Sequence, residues 1–133
     1  MNIDEVKRKI HSLNEDFCLE TLEYLCEQIS GSENGAQLIP DLLEVLEKNP
    51  NEDFGSPGCI VHTLEKYFRK GYEDYLVESV QKTPTLHTVW MLSRLINGVQ
   101  GDERVRYIEV LQYVANNKKF DGNVRDEARS FLS

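Results

Sequence analysis

The sequence predicts an all-α fold: an α-solenoid of about four helical hairpins, eight helices in all, in a single domain spanning residues 1–133. Three observations carry this reading. Apolar residues recur at the three- and four-residue spacing of one helix face, and no segment alternates as a strand does. Short punctuated turns separate these stretches. The first helix of each pair begins near residues 3, 38, 72 and 103, in steps of 35, 34 and 31, the period of stacked helical hairpins. One amphipathic hairpin cannot bury its apolar face alone, whereas four stacked ones can.

The first helix, about Ile3–Leu13, opens with Asn2 and has Glu5 three residues on, a capping-box pattern. The second, about Glu15–Ser30, is expected to be capped by Asn14, with Cys18, Leu22, Leu25 and Ile29 on one face. Gly31-Ser32-Glu33-Asn34-Gly35 has turn composition. The third helix, about Leu38–Asn49, turns Leu42, Leu43 and Leu46 inward and holds Pro40 in its first turn, where a missing N–H costs nothing. Ser56-Pro57 and Thr83-Pro84 read as two copies of one start signal, a hydroxyl cap followed by proline. They open the fourth helix, about Pro57–Lys70, and the sixth, about Pro84–Asn97. The fifth, about Tyr72–Lys82, follows a stop at Gly71. The seventh, about Glu103–Asn117, is expected to be capped by Asp102, and the eighth covers about Asn123–Leu132.

Two stretches add a resemblance. Leu38-Ile39-Pro40-Asp41-Leu42-Leu43-Glu44-Val45-Leu46 resembles the first helix of a HEAT repeat, with its proline and paired leucines. Phe120-Asp121-Gly122-Asn123-Val124-Arg125-Asp126-Glu127-Ala128 looks like the HEAT turn and second helix. The solenoid is therefore expected to be HEAT-like. Phe54-Gly55-Ser56-Pro57-Gly58-Cys59-Ile60-Val61-His62 and Thr83-Pro84-Thr85-Leu86-His87-Thr88-Val89-Trp90-Met91-Leu92 resemble small bacterial immunity proteins of polymorphic or contact-dependent growth-inhibition toxin systems. That resemblance covers about a third of the chain. It implies a cytoplasmic inhibitor, a monomer bound 1:1 to the C-terminal domain of one cognate toxin, often a nuclease.

Composition excludes several other classes. The formal net charge of −8 argues against nucleic acid as the partner, because phosphate binding needs concentrated Lys and Arg. It equally disfavours an anionic membrane surface. No apolar run approaches the ~18 residues of a membrane span. Met1-Asn2-Ile3-Asp4-Glu5 lacks the features of a secretory signal. With three cysteines and no signal, reduced thiols in a cytoplasm are expected, each a small buried hydrophobe. Cys18 and Cys26, eight residues apart on one helix, would lie ~12 Å apart along it.

No motif announces catalysis, a cofactor or a metal. Of His11, His62 and His87, none lies in a His-Glu-x-x-His or beside a Cys-x-x-Cys pattern. His62 and Glu65 are i, i+3, but His87 is followed by Trp90 where a second such pair would need a carboxylate. Cys59 and His62 have i, i+3 spacing, with nothing in the pattern to orient the imidazole. The glycines fit neither phosphate-loop signature. The expectation is a non-enzymatic protein without cofactor.

Charge distribution is more informative. Residues 14–56 carry eleven acids against Lys48 alone, a net −10, while the flanking stretches are each +1. Asp16, Glu20, Glu23 and Glu27 follow i, i+4, i+7, i+11 and would form one stripe opposite the apolar face of the second helix. Such a stripe is either a solvated face or a mimic of a phosphate backbone that steers toward a basic cleft. On the sixth helix, His87, Trp90, Arg94 and Asn97 fall beside a core face of Thr85, Val89, Leu92 and Ile96. Trp and Arg are enriched at interface hot spots, although the ring could equally pack in the stack. On the fourth, His62, Lys66 and Arg69 make a parallel stripe. In a solenoid the second helices line one surface, so these eleven residues are the candidate partner-binding face. Two rivals stay open: an adaptor or scaffold that takes a peptide or protein partner, and an enzyme on a helical-repeat scaffold, which would need a basic groove.

Overall fold

The computed structural model describes every residue except Ser56. Among the described residues the chain is all-helical, with eight α-helices and no strand. They are α1 (Ile3–Ser12), α2 (Leu19–Ser30), α3 (Ile39–Lys48), α4 (Cys59–Glu65), α5 (Tyr72–Lys82), α6 (Leu86–Asn97), α7 (Gly101–Asn116) and α8 (Gly122–Leu132), with a 3-10 turn at Gly35–Leu38. Among the described residues no helix is long and apolar enough to cross a membrane. The chain divides into two compact units, Met1–Tyr75 and Leu76–Ser133.

In the first unit α1 packs on α3 and α2 packs on α4. Asn2 caps α1 by accepting from the Glu5 amide at 3.1 Å, as the sequence implies. Val6 and Ile10 face α3, whose Leu42, Leu43 and Leu46 are buried as expected. Polar contacts tie the same pair together. His11 Nε2 donates to Asp41 Oδ1 at 2.7 Å, and Asn14 Nδ2 to Glu44 Oε1 at 3.0 Å. Between α2 and α4, Ser30 and Thr63 share a hydroxyl hydrogen bond of 3.1 Å. These pairs join residues 30 and 33 apart in the chain, so one hairpin's helices sit against their counterparts in the next.

Several element boundaries differ from the sequence reading. α2 starts at Leu19, not Glu15, because Asn14 does not cap it: that side chain is engaged by Glu44 while residues 13–16 close turns onto α1. Cys18 is the extended residue before α2 and is exposed rather than packed in its apolar face. Helix four is shorter at both ends. Its expected cap, Ser56, lies outside the described residues; Pro57 is in a turn, and α4 begins at Cys59 after Gly58, whose φ is +94°. A Cβ at Gly58 would overlap the Phe54 carbonyl oxygen, so glycine is what lets this loop close. α4 ends at Glu65. The following residues form a tight turn with Arg69 at φ +68°, held because its amide donates to Glu73 Oε1 at 2.8 Å.

In the second unit α8 packs on α7 and α6. Val89, Met91, Leu92, Tyr107, Leu111, Val114 and Ala128 fill its core. α6 starts at Leu86, two residues later than the Thr83-Pro84 signal suggests. Its cap is Thr85, which forms a reciprocal box with Thr88: each backbone amide donates to the other hydroxyl, at 3.0 and 3.1 Å. Thr83 has Leu86 at the matching position and cannot close such a box. α7 begins at Gly101 after Gln100, which places Asp102 in the first turn rather than at the cap. Asp121 caps α8, accepting from Asn123 N at 2.8 Å. Arg129 donates to the Ala115 carbonyl at 2.9 Å, satisfying an acceptor in the last turn of α7.

Candidate partner-binding surfaces

Glu20, Glu23 and Glu27 lie on α2 and are exposed, as their spacing implies. Asp16 does not extend the row, because it sits in the bend before α2. The same face carries two exposed apolar groups that the sequence reading passed over, Leu19 and Tyr24, the latter 57% exposed. The Tyr24 hydroxyl accepts from Gln28 at 3.1 Å, which lays the ring along the helix between the glutamates. Among the described residues no ion pair engages Glu20, Glu23 or Glu27.

Not all the negative charge of residues 14–56 is available to a partner. Asp41 is buried at 8% exposure, with His11 at 2.7 Å and the Lys7 ammonium at 3.8 Å. Glu44 is half-buried, 3.6 Å from His11 Nδ1. These carboxylates bind α1 to α3. The exposed acidic excess of this stretch therefore rests on α2 and the loops beside it.

His62, Lys66 and Arg69 are all exposed, but they do not share one helix face. His62 is on α4, Lys66 caps it, and Arg69 lies in the turn beyond. There its guanidinium stacks 4.4 Å from the Phe68 ring centre and reaches Glu73 at 3.8 Å. Arg69 is part of the turn's own closure.

On α6 the expected stripe is partly assembled into a cleft. Trp90 is half-buried and carries the Arg94 guanidinium 5.2 Å from its ring centre. Trp90, Arg94 and Asn97 line a cavity of about 550 Å³ together with Arg104 of α7 and Phe131 and Leu132 of α8. His87, also half-buried, is not in its wall. The ring is thus half-buried and also lines the cleft. Arg104 and Phe131 were missed because they lie on other helices, and only the packing of α7 and α8 on α6 brings them to Trp90.

Of the three cysteines expected to be buried, Cys26 is, Cys59 is only in part, and Cys18 is exposed. Cys26 is buried at 3% exposure on α2, and Cys59 is half-buried at the start of α4. A hydrogen bond from the Cys26 thiol holds Cys59 below the usual thiol range, while the same bond and burial push Cys26 up. Cys18 is held below the usual range by hydrogen bonds from Thr21. Among the described residues no group of three or more His, Cys, Asp and Glu is arranged to hold a metal. No family model, curated protein or solved structure matches the chain.

Proposed function

We propose that this chain is a non-enzymatic immunity protein, a HEAT-like α-solenoid of four hairpins that acts in a bacterial cytoplasm. It binds 1:1 to the C-terminal domain of a cognate toxin, a nuclease, and occludes its active site. The observation that supports this most is the outer face of α2, where exposed Glu20, Glu23 and Glu27 surround exposed Tyr24. Uncompensated carboxylates there suit a basic substrate cleft, and an aromatic among them supplies the desolvated contact that charges alone lack. The solenoid part of the reading is supported by the repeat-spaced contacts of α1 with α3 and of α2 with α4. The partner class comes from the resemblance of residues 54–62 and 83–92 to immunity proteins.

The test is co-expression with the C-terminal domain encoded by the adjacent reading frame. The proposal expects a stable 1:1 complex, loss of the domain's toxicity, and an association rate that falls roughly tenfold or more from low to physiological salt while dissociation changes little. No complex, or one that leaves the domain active, would overturn it. A second reading, an adaptor for a peptide, is favoured by the Trp90 cleft with its two arginines. It expects an acidic, apolar-tipped peptide to quench Trp90 fluorescence, with binding weakened by Arg104→Ala.

A further inference from the structure

α2 and α4 are packed side by side in the first unit, and the Ser30–Thr63 hydrogen bond fixes their register. One turn before each of these residues, at i−4, stands a cysteine: Cys26 on α2 and Cys59 on α4. Residues one turn apart share a helix face, so the two thiols meet as the two hydroxyls do. Both pairs span 33 residues, about one period of the hairpin repeat. The two thiols influence each other's ionisation, as neighbours on packed helices do. Thiols at one register of two packed helices need only side-chain torsions to close to an S–S bond of about 2 Å.

The two sulfurs have unequal surroundings. Cys59 is half-buried and follows Gly58 at the start of α4. Cys26 is enclosed among Leu22, Leu25 and Ile29. Burial opposes the charged form of enclosed Cys26 more than that of half-buried Cys59, which makes Cys59 the more acidic of the two. Glu23, one turn from Cys26, opposes ionisation of both. An accessible thiolate backed by a resolving thiol is the arrangement that converts a two-electron oxidation into a disulfide rather than a terminal oxide.

We propose that Cys59 and Cys26 form a peroxide-reactive dithiol that closes to a disulfide joining α2 to α4. The oxidant is a hydroperoxide, ROOH. The Cys59 thiolate attacks its terminal oxygen: the S–O bond forms, the O–O bond breaks, and the leaving alkoxide takes a proton to give ROH. Cys59 is then a sulfenic acid. The Cys26 sulfur attacks the Cys59 sulfur: the S–S bond forms, the S–O bond breaks, and hydroxide leaves as water with the Cys26 proton. Two thiols and one hydroperoxide give one disulfide, one alcohol and one water. The link would staple the helix that carries Glu20, Glu23 and Glu27 to its neighbour.

The test uses the full chain and hydrogen peroxide, followed by maleimide blocking, intact mass and peptide mapping. The expected product is a monomer lighter by about 2 Da before blocking, with Cys26 and Cys59 in one cross-linked peptide. Cys18→Ser should leave that link unchanged. In Cys26→Ala the sulfenic acid should persist on Cys59 and be trapped by dimedone. The proposal is overturned if Cys26 and Cys59 both remain maleimide-reactive once Cys18 is fully oxidised, or if the links formed run only through Cys18. Mapping of the wild-type chain decides the matter even where Cys26→Ala fails to fold.

Discussion

Gly35→Ala is the substitution whose cost the structure specifies most closely. Gly35 opens the 3-10 turn and is buried against the end of α2. A Cβ there would overlap the Tyr67 hydroxyl, stand 2.7 Å from the Ile29 carbonyl oxygen and 3.0 Å from Ile29 Cγ2. None of these groups can swing aside freely. The Tyr67 hydroxyl donates to that same carbonyl at 3.3 Å, and the carbonyl also accepts from the Ser32 amide at 3.0 Å. Overpacking of this kind costs about 1–3 kcal/mol, and displacing the Tyr67 hydrogen bond adds about 0.5–1.5 kcal/mol. The stiffer unfolded chain returns about 0.4–1 kcal/mol. We expect a net loss of roughly 2–3 kcal/mol. Tyr67→Phe alone should cost about 1 kcal/mol or less, since Ser32 still satisfies the Ile29 carbonyl. In the double variant the worst overlap is gone, so its loss should fall short of the sum by about 1 kcal/mol. Urea unfolding followed by circular dichroism measures all three. Gly98→Ala is the internal control: its Cβ would meet only the Leu95 and Arg94 carbonyls, at 3.6 and 3.9 Å, and should change little. A Gly35→Ala protein within about 0.5 kcal/mol of wild type, or strict additivity with Tyr67→Phe, would refute the packing argument.

Three further outcomes are expected. Trp90→Ala should lower stability by roughly 2–4 kcal/mol in urea, because the ring is half core, whereas Arg94→Ala should cost about 1 kcal/mol or less. Equal effects would refute the reading of the ring as part of the core. Reversing Glu20, Glu23 and Glu27 to Lys together should leave stability within about 0.5 kcal/mol per site, since all three are exposed, yet lower the low-salt association rate with the proposed toxin partner about tenfold. Stopped-flow mixing at several ionic strengths reads this, and an unchanged rate would leave the stripe as a solvated face. Asp41→Ala should destabilise by about 1–3 kcal/mol in chemical unfolding, because it strips His11 of its buried acceptor; a neutral result would mean the pair contributes nothing to the α1–α3 contact.

The positions of all eight helices, and most of their buried faces, were legible in the residues alone. Leu22, Leu25 and Ile29, or Val89, Leu92 and Ile96, repeat at intervals that only a helix brings to one side, and each of these is buried. Caps whose partners lie within three residues, as at Asn2 with Glu5, could be read the same way. Some local readings chose the wrong neighbour, as Thr83-Pro84 over the Thr85–Thr88 box; others failed because they depended on a competitor elsewhere in the chain. Asn14 has a good cap residue's chemistry, but Glu44, 30 residues away, takes its side chain, so α2 starts later and Asp16 leaves the acidic row. Asp41 counted as surface charge until α1 brought His11 over it. The Trp90 cleft and the Cys26–Cys59 pair are each made of residues on different helices. Periodicity and capping are energies between near neighbours, and sequence order contains them. Which distant groups compete for one hydrogen bond, or share one cavity, is settled only when the helices pack.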